Sequence, residues 1–124
     1  MIEVENINPA VDFFKQVGSE DSGEPIVLVN LFKVPPGKEE AFLTAWKDDA
    51  KYFKAQPGLI FAQMHRAIAG SGVFCNYAVW ENLAAFRKAS QNPELQKKFA
   101  AYPDGTVVIP HLYKKMAIEG ICTA

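Results

Sequence analysis

The sequence predicts an α+β fold, an antiparallel four-stranded sheet with helices in the order β-α-β-β-α-β. Three observations predict it. Ile26 to Lys33 and Val73 to Trp80 are short apolar runs bounded by proline, glycine and polar turn sequence, as buried strands are. Between them Phe42, Ala45, Trp46, Ala50 and Phe53 recur at helical spacing. A second helical stretch after Trp80 and a final apolar run then complete two strand-helix-strand units, the split βαβ arrangement.

Taken in order, Ile2 and Val4 form a short alternating opening. Asn8-Pro9 reads as a cap and a first-turn proline for a short amphipathic helix carrying Val11, Phe13, Phe14 and Val17, which Gly18 ends. Residues 1–24, closing on polar turn sequence, are read as an N-terminal extension, and residues 25–124 as the main domain. The strand Ile26 to Lys33 stops at Pro35-Pro36-Gly37. A long helix begins at Lys38, with Lys47, Asp48, Lys51 and Lys54 outward, and ends near Pro57-Gly58. Leu59 to Ile68 and Val73 to Trp80 form a hairpin through Ala69 to Gly72, whose glycines precede a strand and so do not form a phosphate-cradling loop. Glu81-Asn82 opens a helix with Leu83, Phe86 and Ala89 inward, broken at Asn92-Pro93 and resumed from Glu94 to Tyr102. Thr106 to Ile118 reads as the last strand. This order is that of a ferredoxin-like fold.

Composition bounds the function. At 124 residues, 49% of them hydrophobic, with 13 basic residues against 14 acidic, the chain reads as one ordinary folded domain. It lacks the basic excess that phosphate neutralisation needs, so nucleic acid is not an expected partner. No apolar stretch approaches the about 18 residues of a spanning helix, so no membrane association is expected. The acidic opening Met1 to Asn6 is unlike a signal peptide, and the two cysteines, Cys75 and Cys122, have neither metal-ligand spacing nor a disulfide framework. The expected location is the cytoplasm and the expected role of both thiols is packing.

Alternation along the strands raises a further requirement. On the strand Ile26 to Lys33, Leu28, Asn30 and Phe32 share one side and Val27, Val29 and Leu31 the other. On Val73 to Trp80 the two sets are Phe74, Asn76, Ala78 and Trp80, and Val73, Cys75, Tyr77 and Val79, and neither side of either strand is written for water. Two helical regions cover one face only. The second face therefore calls for a homodimer, or for the N-terminal extension folded across it.

Two amides interrupt the apolar strands, Asn30 and Asn76. Asn76 and Trp80 lie on one face about 13 Å apart along the strand, a combination suited to a flat organic molecule with polar edges. The alternative is that each amide bonds neighbouring backbone and Trp80 is core. His65, on a face with Phe61 and Gln63, and His111, with Ile109 and Tyr113, are the candidate general bases, or else satisfied strand histidines. Two histidines without a clustered cysteine or acid make a poor transition-metal site.

The segments Val27 to Lys38, Gln56 to Ile60 leading to Met64-His65-Arg66, and Asn76-Tyr-Ala-Val-Trp-Glu81 running into Ala85-Phe86 are similar to those of the antibiotic biosynthesis monooxygenases. The resemblance spans residues 26–118 and implies a dimeric α/β barrel built from two ferredoxin-like subunits. It implies Asn30, Asn76 and Trp80 as pocket residues of a cofactor-free oxygenase, with His65 as a base or with a substrate that ionises unaided. The heme-degrading branch would use Asn30 and Trp80 too, but its iron-binding histidine has no counterpart in Ser90 to Tyr102. The expected function is oxidation by dioxygen of a planar anthrone- or hydroquinone-type molecule without a cofactor. A non-catalytic dimeric module for a small metabolite and a non-redox isomerase are the competing readings.

Overall fold

The computed structural model describes residues 2–123. Its elements are β1 (Glu3–Val4), α1 (Phe13–Val17), β2 (Ile26–Lys33), α2 (Glu39–Lys54), β3 (Leu59–Arg66), β4 (Val73–Trp80), α3 (Leu83–Ser90), α4 (Glu94–Ala100) and β5 (Val107–Tyr113). From β2 onward this is the predicted order, with the second helical region split in two.

The sheet has five strands in the order β1-β5-β2-β4-β3, one more than predicted. β2, β3, β4 and β5 pair antiparallel, and β1 joins the free edge of β5 in parallel. The backbone dictates the addition: that edge leaves groups unpaired, and Glu3 N–H and Glu5 N–H bond the Thr106 and Val108 carbonyls at 3.0 and 2.9 Å. The sheet is therefore mixed, and it is open within one chain.

Several boundaries differ from the sequence expectation, among them the end of β3, at Arg66 and not Ile68. Asp12, not Asn8, caps α1 by accepting from Lys15 N–H at 2.9 Å, while Asn8 accepts from Ala10 and Val11 in the preceding turn. β5 stops at Tyr113, not Ile118, because its partner β2 runs out there, with Val27 opposite Tyr113. α4 ends at Ala100, which leaves Tyr102 to turn inward as a buried residue. Asn82 caps α3 as its residue type suggests, accepting from Ala85 N–H at 2.8 Å.

Both helical regions pack on one sheet face and bury two apolar clusters there. One joins Leu28, Ala78 and Trp80 to Leu83, Phe86 and Ala89 of α3; the other joins Phe32 and Phe74 to Phe42 and Ala45 of α2 and to Tyr102. On the opposite face no helix of the described residues covers Val29, Leu31, Cys75, Tyr77 or Val79, and they remain only half-buried.

The N-terminal extension lies against the edge of this layer. Phe13 packs edge-on to Phe86 at 6.0 Å between ring centres, whereas Phe14 stays exposed. Gln16 continues the hydrogen-bonding edge of β5, accepting from Leu112 N–H at 2.8 Å and donating to Leu112 O at 3.0 Å. Arg87 reaches back from α3 to the Val17 and Ser19 carbonyls at 2.8 and 2.7 Å. Among the described residues no helix is long and apolar enough to cross a membrane.

Candidate functional site

Pairing register decides which side chains can meet. Asn30 of β2 stands directly opposite Asn76 of β4, with Pro110 of β5 on its other side and Met64 of β3 beyond Asn76. The row Met64-Asn76-Asn30-Pro110 thus crosses four strands on the helix-covered face. It falls between the two apolar clusters, with Phe32 and Phe74 on one side, Leu28 and Ala78 on the other, and Trp80 one strand repeat past Ala78.

The site is defined by what these residues lack. The side-chain oxygens of Asn30 and Asn76 and the indole Nε1 of Trp80 are all shielded from solvent and have no hydrogen-bond partner among the described residues. Each such group costs about 1–3 kcal/mol relative to a satisfied one. Three on one face of two adjacent strands is a concentration that packing alone does not account for. Because an amide can rotate its oxygen and nitrogen into each other's places, the asparagines can present either acceptors or donors to a bound molecule, and the indole presents a donor. Phe53 of α2 and Phe86 of α3 meet the Trp80 ring edge-on at 6.1 and 5.4 Å and hold it in place.

His65 does not join this group. It pairs in register with Cys75, and so belongs to the open face with Gln63 and Tyr77. It is exposed, and its Nδ1 lies 3.3 Å from the Cys75 carbonyl oxygen. A one-residue step along a strand reverses the face, so His65 and the asparagines are on opposite sides of one sheet. His111 is also outside the row: its Nε2 lies 3.2 Å from Gln16 Nε2, and its Nδ1 is buried without a partner.

A pair that the sequence reading passed over joins α2 to the residue that packs on Phe32 and Phe42. Asp49 of α2 is 7% exposed, and its Oδ2 accepts the Tyr102 hydroxyl proton at 2.8 Å while its Oδ1 has no partner among the described residues. Burial pushes the Asp49 carboxyl above the usual range against the opposing pull of the Tyr102 bond and the Lys98 charge, and burial with the facing carboxylate pushes the Tyr102 phenol up. The signal was present in the spacing, because Phe42, Ala45, Asp49 and Phe53 lie on one stripe of α2 and an acid there must go inward.

Two shallow depressions open elsewhere. One, of about 260 Å³, lies on the open face among Val27, Val29, Tyr77 and Tyr113; the other, of about 300 Å³, lies between the end of α2 and α3, among Gln56, Glu81, Asn82 and Ala85. Among the described residues, no three acids, histidines or cysteines are grouped to hold a metal ion.

A sheet covered by helices on one side, open and apolar on the other, with amides set in its covered face, is a ferredoxin-like α+β domain. The profile of the antibiotic biosynthesis monooxygenases matches residues 25–101, and the chain belongs to that family. Among solved structures it is similar to SnoaB, a cofactor-independent oxygenase from Streptomyces nogalater, at 24% identity over 78% of this chain and 98% of that one, with a TM-score of 0.70. A candidate monooxygenase from Shewanella loihica PV-4 is 27% identical over 81% of this chain and all of that one, with a TM-score of 0.66. A candidate antibiotic biosynthesis monooxygenase from Caulobacter crescentus CB15 is 19% identical over 77% and 92%, with a TM-score of 0.64. No curated protein matches the sequence. Family membership supports a monooxygenase-like role.

Proposed function

We propose that the protein is a cofactor-independent monooxygenase acting on a planar, oxidisable aromatic of the anthrone or hydroquinone type. The observation that carries this reading is the set of three buried, unpartnered polar atoms on Asn30, Asn76 and Trp80 along one face of two paired strands. Family membership and the likeness to a cofactor-independent oxygenase support it.

The chemistry follows from what amides and an indole can and cannot do. None titrates near neutral pH, so their task is to hold an oxyanion, not to create it. An anthrone that gives up one methylene proton becomes an enolate, which hydrogen bonds from the rotated amides and the indole N–H would stabilise. Such an enolate passes an electron to dioxygen. Recombination gives a peroxide at the former methylene carbon, and loss of water leaves the carbonyl: one methylene and one dioxygen become one carbonyl and one water. Substrate and dioxygen supply all the electrons. The surrounding phenylalanines keep bulk water from competing with the site's fixed donors.

The proposed working unit is a homodimer in which the uncovered faces of two sheets pack together. Its support is the uncovered apolar surface of Val29, Leu31, Cys75, Tyr77 and Val79, which a second copy would bury isologously. Two free thiols suit a reducing, cytoplasmic setting.

Oxygen consumption with an anthrone and dihydroxynaphthalene panel tests the reading on metal-stripped protein. Uptake above the spontaneous rate, lost in Asn76→Ala and Trp80→Phe, is expected. Saturable quenching of tryptophan fluorescence without turnover would instead make the protein a binding module.

A further inference from the structure

We propose that Asp49 is the proton acceptor of this pocket, taking the substrate proton on Oδ1 while Tyr102 holds Oδ2. The inference rests on the oxygenase reading above and supplies the base that the position of His65 denies to it.

Two aromatic contacts locate Asp49 over the asparagine row. At one end of α2 Phe42 lies 4.9 Å from Phe74 between ring centres, and at the other end Phe53 lies 6.1 Å from Trp80. α2 therefore runs along β4 from Phe74 toward Trp80. At about 1.5 Å per residue, Asp49 is about 10 Å along the helix from Phe42. At about 3.3 Å per residue, Asn76 and Ala78 are about 7 and 13 Å along the strand from Phe74. Asp49 thus lies at the level between Asn76 and Ala78, on the stripe of α2 that faces the sheet.

The surroundings of the carboxyl are those of a base and not of a structural ion pair. It is buried, one oxygen is fixed by a phenol and the other is free, and no cation bonds to it. Lys98 of α4, the nearest candidate, bonds Asp48 instead at 2.9 Å. The titratable groups facing Asp49 are Tyr102, Lys98 and Asp48, while Asn30 and Asn76 across the layer are neutral. Burial raises the basicity of the carboxylate toward that of a weak carbon acid, which is what a general base needs.

The step balances without an added reagent. The C–H bond of the methylene breaks, its proton forms the O–H bond on Asp49 Oδ1, and its electron pair becomes the enolate. After dioxygen has added at that carbon, the Asp49 proton passes to the outer peroxide oxygen and Asp49 is again a carboxylate. The remaining C–H bond then breaks, its electron pair forms the carbonyl as the O–O bond cleaves, and the departing hydroxide takes up that second proton and leaves as water.

Proton removal can be read apart from oxidation. Under anaerobic conditions in deuterium oxide, wild-type protein should accelerate exchange of the methylene protons of 1,8-dihydroxyanthrone, followed by NMR. Asp49→Asn, which keeps an acceptor for Tyr102, should slow that exchange by about 100-fold, and Asp49→Glu should restore part of it. Tyr102→Phe strips a donor from the carboxylate and should move the acidic limb of the exchange rate to higher pH. Near-UV circular dichroism would certify the fold of each variant. Wild-type exchange without oxygen uptake in air would end the oxygenase reading and leave Asp49 as the base of a proton-transfer enzyme. Oxygen uptake with exchange unchanged in Asp49→Asn would overturn Asp49 and spare the oxygenase. Neither exchange nor uptake by the wild type would overturn both.

Discussion

Asn30 and Asn76 face each other across β2 and β4, and neither side-chain oxygen has a hydrogen-bond partner among the described residues. Adjacent strands could have placed two leucines there and closed the two apolar clusters into one core. The chain instead keeps a polar seam between them, which costs stability and leaves hydrogen-bonding capacity unused.

That cost is measurable. Asn76→Leu replaces an unpaired amide by an apolar group of related shape, and it should raise unfolding stability by about 1 kcal/mol, within the range for relieving one buried unsatisfied group. The same substitution should abolish catalysed oxygen uptake. Urea denaturation beside the oxygen assay checks both; a loss of stability would mean that the amide has a structural partner after all.

Asp49 makes stability depend on pH in a defined direction. Burial raises its folded-state pKa above the unfolded one, so its contribution is fully present below the unfolded value of about 4 and is lost as pH rises through the folded value. Wild-type stability should therefore decline relative to Asp49→Asn from about pH 4 upward. Urea titrations of both proteins at acid, neutral and mildly alkaline pH should show their curves separating in that direction.

The N-terminal extension should prove to be part of the fold. Asp21 accepts hydrogen bonds from Gly23, Leu83 and Ala84 at 2.9, 3.3 and 3.1 Å, tying the extension to the first turn of α3. The Gly23 bond leads in holding its carboxyl below the usual range, so this stabilisation is present above the unfolded pKa and lost as pH falls through the folded one. Asp21→Ala should lower the melting temperature at neutral pH, and the deficit should shrink in strong acid. Deleting residues 1–20 should cost more, because Phe13, Gln16 and the carbonyls that Arg87 holds go with them. Melting curves of the two variants give the comparison.

The open sheet face makes a separate prediction about assembly. Val29 and Tyr77 are register partners at its centre, and Val29→Lys would place a charge in the proposed dimer interface. Sedimentation velocity should find wild-type protein at twice the chain mass of 13.7 kDa and the variant at that mass. A monomeric wild type would mean that the open face is not a dimer interface.

The strands and helices that surround the site were legible because their periods are strong. β2 and β4 read as apolar runs each interrupted by one asparagine, and it is the register that brings the two onto one face, opposite each other. What was not legible depended on contacts distant in sequence. β1 exists because the edge of β5 is free, a fact that the opening residues do not carry. Asn8 and Asp12 are both plausible caps, and α1 takes the one nearer its apolar stripe. His65 was assigned to the correct face relative to Phe61 and Gln63, but which face looks toward the asparagines depends on the pairing of β3 with β4. Asp49 was obscured by Asp48, a solvent-facing acid beside it in the chain.

The central claim is that Asn30, Asn76 and Trp80 make a pocket in which a substrate reacts with dioxygen without a cofactor. Oxygen-electrode measurement of metal-stripped wild-type protein with 1,8-dihydroxyanthrone, beside Asn76→Ala and Trp80→Phe, tests it most directly. Uptake well above the spontaneous rate is expected, with stoichiometric appearance of the quinone and near-background rates in both variants. Uptake at the spontaneous rate, or rates that the two substitutions leave unchanged, would contradict it.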